Sequence, residues 1–305
     1  MEFLVGTHIN FLGHRRAAFI VSAVVILIGL ISLVIQGGPK PGIDFAGGVL
    51  LQVKFEQSIS AESIRESLDR VGVDEAEIQH FGGDREAIIR LMEAEDAEEQ
   101  DLAGRILSQL NEDNPGNTAT FMREELVGPK IGEELTAKAT MAIIYALIGI
   151  LIYISLRFEF KFAVGAVAAL VHDVVIVLGL FSITGRAITL PVIAAFLTIV
   201  GYSLNDTIVI YDRIREDRRK LYGKSFVDIV NTSLNESLSR TLVTSLTTLL
   251  VVLCLFIFGG EVIKDFAFAL MVGVIVGTYS SLYVASPLVV EWQIRQEARR
   301  RRKHG

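Results

Sequence analysis

Six long apolar stretches set the pattern of the chain. They cover 17–36, 137–156, 162–184, 188–211, 241–258 and 265–291, each close to the roughly 20 residues a helix needs to cross a bilayer. The spacing predicts six membrane helices. The first run carries no charge and leads into Gly-Gly-Pro-Lys-Pro-Gly with no small-residue cleavage site, so it reads as an uncleaved span and not a signal peptide. Between the first two spans the pattern changes. Residues 49–55 alternate apolar and polar like a half-buried strand, and 61–71 place Ile64, Leu68 and Val71 at helical spacing behind Ser60 as N-cap. Strands follow at 76–81 and 86–92 around a Gly82-Gly83-Asp84 hairpin turn, and a helix over 97–110 aligns Leu102, Ile106, Leu107 and Leu110. Asn114-Pro115-Gly116 breaks that helix before a last strand at 118–126. The order β-α-β-β-α-β predicts an α+β ferredoxin-like domain over 37–136, between helices 1 and 2.

Composition places the chain in the membrane. Of its 305 residues 51% are hydrophobic, and the mean hydropathy is +0.48. The single cysteine, Cys254, excludes an internal disulfide and a cysteine metal site. The net charge of -6 is unevenly spread. Residues 37–136 hold about 22 acidic against about 9 basic side chains, as a solvated domain does. Basic residues instead flank the spans: Arg15 and Arg16, Arg157 and Lys161, the group from Arg213 to Lys224, and the run 299–303. If six spans alternate, all of these fall on one side. By the positive-inside rule both termini are cytoplasmic and the acidic domain is extracytoplasmic. The organisation expected is therefore an N-terminus and first span to 36, the domain at 37–136, spans 2–6 over 137–291 with a cytoplasmic loop at 212–240, and a basic tail at 292–305. Within that loop, 225–238 reads as an amphipathic helix lying at the interface: Ser225 and Asp228 form a capping-box-like pair, and Phe226, Ile229, Val230, Leu234 and Leu238 share one face. Trp292 and Arg295 anchor the last span at headgroup level. The basic tail reads as topogenic and facing lipid, with no nucleic acid partner.

Against this background the charges inside the spans stand out. Asn205 and Asp206 interrupt span four, where a carboxylate costs about 2.5–3.5 kcal/mol to insert, so an intramembrane Asp marks a functional site by default. At 3.6 residues per turn Thr198, Tyr202, Asp206 and Val209 share a face. Arg240 opens span five at a similar depth, followed by Thr244 and Thr248, and is placed to meet Asp206. Protonating the Asp would release the Arg and turn one proton into a change of helix contact; a static ion pair that fixes packing is the alternative. His172 and Asp173, deepest in span three, read either as a proton relay or as a structural hydrogen bond. Ala269, Gly273, Gly277, Ser281 and Ala285 form a small-residue ridge on span six, a helix-packing groove whose partner is open. Gly42, Asp44, Gly47 and Gly48 mark the turn from membrane into domain, with Asp44 read as capping that turn in preference to holding a ligand. No nucleotide or metal motif is present: Gly223-Lys224-Ser225 lacks the rest of a P-loop, the five histidines are scattered, and no cofactor beyond protons is called for. An intramembrane aspartyl protease built on Asp173 and Asp206 is disfavoured by their different depths and by Gly-Tyr-Ser-Leu-Asn-Asp standing where a GxGD motif would. The chain is not expected to be an enzyme.

Four stretches together carry a resemblance: GIDFAGG after span one, LVHDVVIVLGLFSI in span three, LTIVGYSLNDTIVIYDRIRE in span four and SRTLVTSLTTLL at span five. In this order over nearly the whole chain, they resemble the SecD/SecF family of membrane subunits in bacterial protein export. The resemblance implies half of a transporter fold related to the resistance-nodulation-division superfamily, completed to twelve spans by the paralogous SecD. It further implies use of the proton motive force to assist late export of unfolded polypeptides through the SecYEG channel, with Asp206 and Arg240 on the proton pathway. It assigns no step to His172 or Asp173. A static scaffold that only stabilises the channel complex is the competing reading.

Overall fold

The computed structural model describes residues 7–73, 76–80, 83–91 and 102–304. These divide into two compact units, one of Met1–Lys40, Ala142–Arg186 and Pro191–Gly305, the other of Pro41–Met141 with Ala187–Leu190. The second unit thus starts later than the segment 37–136, runs past its end to Met141, and takes in Ala187–Leu190 where the fourth span begins.

Within the second unit a short helix α2 (Ile43–Ala46) leads into β1 (Gly48–Phe55), followed by α3 (Ala61–Arg70), β2 (Ala76–His80), β3 (Glu86–Leu91), α4 (Leu102–Asp113) and β4 (Ala119–Val127). The sheet order is β2-β3-β1-β4 and every pairing is antiparallel, the split arrangement of a ferredoxin-like fold. Alternation decides which face is covered: Val49, Leu51, Val53 and Phe55 of β1 are buried with Ile64 and Leu68 of α3 and Ala103, Ile106 and Leu110 of α4. The Ser60 hydroxyl accepts from the Ser63 N–H at 3.1 Å and caps α3. A bulge at Gln52/Val53 leaves Met122 of β4 without a partner on β1. Residues 97–101 of the expected second helix, Gly82 of the hairpin turn, and the strand ends Phe81 and Met92 lie outside the described residues.

Among the described residues six helices are long and apolar enough to cross a membrane. They run through α1 (Arg15–Ile35), α5 (Pro129–Arg157), α6 (Phe160–Ile183), α7 (Leu190–Lys220), α8 (Phe226–Phe258), and α9 (Glu261–Ser280), the last continuing through a π-helical turn (Ser281–Ala285) into α10 (Ser286–His304). α6 is the most enclosed and α5 turns nearly all its apolar side chains outward. α1 and α6 approach closely at Gly29 and Gly179, where a Cβ on either glycine would lie under 3.0 Å from the other's Cα. Ser32 and Ser182 hydroxyls meet there at 2.8 Å.

Two expectations are corrected. The segment 225–238 is no separate helix at the interface: it is the first part of α8, which runs unbroken to Phe258 because no Gly or Pro interrupts it. Its apolar side, Ile229, Val230, Leu234 and Leu238, is buried in protein and not left to lipid. The cytoplasmic loop drawn at 212–240 is mostly helical as well. α7 continues to Lys220 on ion pairs one turn apart, Lys220 to Glu216 at 2.6 Å and Arg213 to Asp217 at 3.4 Å, leaving 221–225 as the connection.

Candidate functional site

α7 carries two faces of different character through the middle of the first unit. Ile199, Ser203, Asp206, Thr207 and Ile210 are buried, whereas Ala194, Thr198, Gly201 and Asn205 form an exposed strip of small and polar side chains. Thr198 therefore does not share the buried side of Asp206, and neighbouring Asn205 lies on the open one. A shallow groove of about 480 Å³ borders this strip, walled by Leu197, Val200 and Gly201 of α7 and by Tyr145, Gly149 and Tyr153 of α5.

Asp206 is 3% exposed. Its Oδ2 accepts a long hydrogen bond of 3.4 Å from the Ser245 hydroxyl, which itself accepts from Thr278 Oγ1 at 2.7 Å. Three helices, α7, α8 and α9, thus contribute to a donor chain ending on the carboxylate. The expected contact with Arg240 is not made: among the described residues no ion pair joins the two, and Arg240, which is exposed, acts on Asp206 only through space. The helical wheel explains the difference. Arg240, Thr244 and Thr248 lie along the less buried side of α8, whereas Thr241 and Ser245 point inward. Among the described residues two buried hydroxyls, Tyr202 one turn from Asp206 on α7 and Thr241 one turn from Ser245 on α8, have no hydrogen-bond partner.

Asp173 on α6 is held very differently. It is fully buried, with Oδ2 accepting from Ser203 of α7 at 2.6 Å and from Ser280 of α9 at 2.8 Å, while Oδ1 sits 2.8 Å from Nδ1 of His172. Nε2 of the same imidazole is 3.0 Å from Ser22 of α1, and the ring stacks on Tyr279. Both carboxylate oxygens are therefore satisfied, by groups from three helices. The π-helical turn begins at the next residue after Ser280 and is closed by the Ser286 hydroxyl donating to the Ser281 carbonyl at 2.9 Å.

The small-residue ridge packs inside the chain. A Cβ at Gly273 would strike the Ile199 side chain and one at Gly277 would meet Ser203, so the groove receives the buried side of α7. Ala269, Ser281 and Ala285 are fully buried along it.

In the second unit, Gly47 and Gly48 have φ of 79° and 124°, outside the range of other residues. The Gly42 N–H donates to the Ile188 carbonyl at 2.7 Å, and a Cβ there would collide with Thr189. Asp44 does not cap its own turn. Its Oδ2 accepts at 2.8 Å from the N–H of Leu190, the first residue of α7.

Residues 107–295 match the family described as "Protein export membrane protein SecD/SecF, C-terminal", and residues 31–59 match the "SecD/SecF GG Motif". The chain belongs to the SecD/SecF family. It is 50% identical over 293 residues to the protein translocase subunit SecF of Desulfurispirillum indicum, covering 94% of this chain and 93% of that one. The corresponding subunit of Calditerrivibrio nitroreducens is 47% identical over 285 residues, with 93% of each covered. The fold is similar to the crystal structure of SecDF, a translocon-associated membrane protein from Thermus thermophilus, at a TM-score of 0.85 and 40% identity over 95% of this chain. The chain spans 39% of that SecDF chain. On the SecD/SecF pattern, the glycine motif is the segment that contacts Ile188 and Leu190, a link between residues almost 150 apart that no local spacing could reveal.

The sequence reasoning missed the hydroxyls. Ser22, Ser203, Ser245, Thr278 and Ser280 make both carboxylate sites, yet a serine or threonine in an apolar helix often bonds only to a carbonyl one turn back, as Thr244 does to Arg240 at 3.0 Å. The one legible signal was their depth within the spans.

Proposed function

We propose that the chain is an accessory subunit of the Sec protein-export machinery that works beside a SecD partner, with Asp206 as its proton-bearing group. The observation that carries this reading is the contrast between the two buried carboxylates. Asp173 has both oxygens engaged at short distance, by three groups, and serves as a fixed joint. Asp206 has one long hydroxyl donor with the Asn205 amide acting beside it, no ion pair among the described residues, and two unpartnered hydroxyls on α7 and α8. A carboxylate so weakly held can change protonation with little rearrangement of the groups around it. Its neighbour Asn205 faces an open strip, so the path to it is completed by whatever covers that strip. The SecDF chain from Thermus, of which this chain matches about two fifths, supports a SecD half as the cover. Arg240 takes part as a mobile counter-charge: the pair forms when α7 and α8 shift, and it is open in the present arrangement.

The basic residues at one end of the helices support cytoplasmic termini in the inner membrane, with the ferredoxin-like domain outside, where it meets emerging unfolded polypeptide at the SecYEG channel. A static scaffold is favoured by one observation only, the saturated Asp173 site, and that site accounts for stiffness without requiring Asp206. The test is proton-driven export in vesicles holding this chain, SecD and the channel. Asp206→Asn removes the potential-dependent increment and leaves assembly intact, whereas loss of assembly would favour the scaffold.

A further inference from the structure

α10 shows a graded face along the groove it makes with α1. Leu288, Trp292, Arg295 and Arg299 follow one another at helical spacing on one side, over about 16 Å of axis, and Phe19 of α1 closes the apolar end. The groove encloses about 710 Å³. Its one carboxylate, Glu291, is engaged by Arg15 at 2.8 Å, while among the described residues neither Arg295 nor Arg299 has an ion-pair or hydrogen-bond partner. The wall therefore changes from aliphatic and aromatic to a pair of free guanidiniums, with the Trp292 indole at the boundary, its ring set edge-on against Phe160 at 6.4 Å.

We infer that this groove is a binding site for an anionic phospholipid. The order of chemistry along α10 is that of the lipid: acyl chain on Phe19 and Leu288, glycerol and ester region at Trp292, phosphate on Arg295 and Arg299. Indole rings settle at headgroup level, guanidinium takes phosphate in a bidentate fork, and basic pockets beside membrane helices take acidic headgroups. A partner helix would fill the apolar part but would leave two guanidiniums facing nothing of opposite charge, so charge complementarity selects the lipid. The inference requires only that these helices cross a bilayer and does not depend on proton coupling.

Trp292 is the only tryptophan of the chain, so its fluorescence reports the groove directly. The full chain is reconstituted into phosphatidylcholine vesicles containing a fixed fraction of brominated phosphatidylglycerol, or of brominated phosphatidylcholine. The anionic quencher is expected to be preferred roughly 5- to 30-fold, as two phosphate-facing arginines imply. Arg295→Gln with Arg299→Gln abolishes the preference, and Arg295→Lys with Arg299→Lys retains part of it. Arg300→Gln with Arg302→Gln removes the same charge outside the groove and leaves the preference in place. Equal quenching by the two lipids, or equal loss in both glutamine pairs, would overturn the site. So would loss of quenching by either lipid on co-reconstitution with a tryptophan-free SecD, which would make the groove a subunit contact.

Discussion

A buried carboxylate is defined by what donates to it. Asp173 receives two serine hydroxyls and lies against an imidazole, and a hydrogen bond to a charged group contributes about 1.5–3 kcal/mol. Ser280→Ala is therefore expected to lower the unfolding free energy by about 1.5–3 kcal/mol in a detergent denaturation series, with the further change Ser203→Ala less than additive because both donate to one oxygen. Ser245→Ala removes a 3.4 Å contact from Asp206 and one acceptor of Thr278, whose hydroxyl keeps the Val274 carbonyl at 2.7 Å, and should change stability by under about 1 kcal/mol in the same series. At this scale the sequence was half legible. The charged side chains announced themselves, because charge inside an apolar run has few explanations; the hydroxyls did not, because their usual role is local. The Asp206–Arg240 contact was anticipated from matching depth, but depth says nothing about which side of α8 faces α7. Arg240 sits beside the inward side, not on it.

Elements were read well where pattern alone decides them and poorly where continuity does. The alternation in β1 and the helical spacing in α3 match the observed strand and helix because each buries one face against a common core. The ends of α7 and α8 were misplaced, because a polar or amphipathic segment after a span can either lie along a membrane or continue as helix. Intrahelical ion pairs and burial of Leu234 and Leu238 decided for continuation. Asp44 is a contact between elements that only the fold brings together. An exposed carboxylate at a helix N-terminus contributes about 0.3–1 kcal/mol, so Asp44→Ala should leave folding intact and speed amide exchange at Leu190. Where α1 crosses α6, Gly29→Val inserts side-chain atoms against a backbone under 3.0 Å away. That variant should lose several degrees of thermal stability, while Gly149→Val, with nothing within 4 Å, should not.

For the whole molecule, the sequence showed the number of spans and the separate domain because hydropathy and acidity are summed over tens of residues. It could not show that the domain unit includes Ala187–Leu190, a feature of topology and not of composition. Among the charged ties between helices of the first unit, Glu159 pairs with Lys161 at 2.7 Å and Arg218 at 2.6 Å. The Lys161 hydrogen bond, aided by Arg218 and opposed by partial burial, holds the Glu159 carboxyl below its ordinary value. A depressed carboxyl stabilises above its unfolded value, about 4.3, and that contribution disappears as pH falls through the folded value. The melting temperature of wild type should exceed that of Glu159→Gln at neutral pH, and the gap should shrink below the unfolded value and close as pH falls through the lower folded one. On this account Asp206, buried and weakly held beside an uncovered strip of α7, acts only with a second subunit in place. The most direct test is proton conductance of vesicles that hold this chain together with SecD, measured under an imposed potential for wild type and Asp206→Asn. The account predicts that conductance falls to the level of empty vesicles in the variant while the two subunits still co-purify. Undiminished conductance in Asp206→Asn would contradict it.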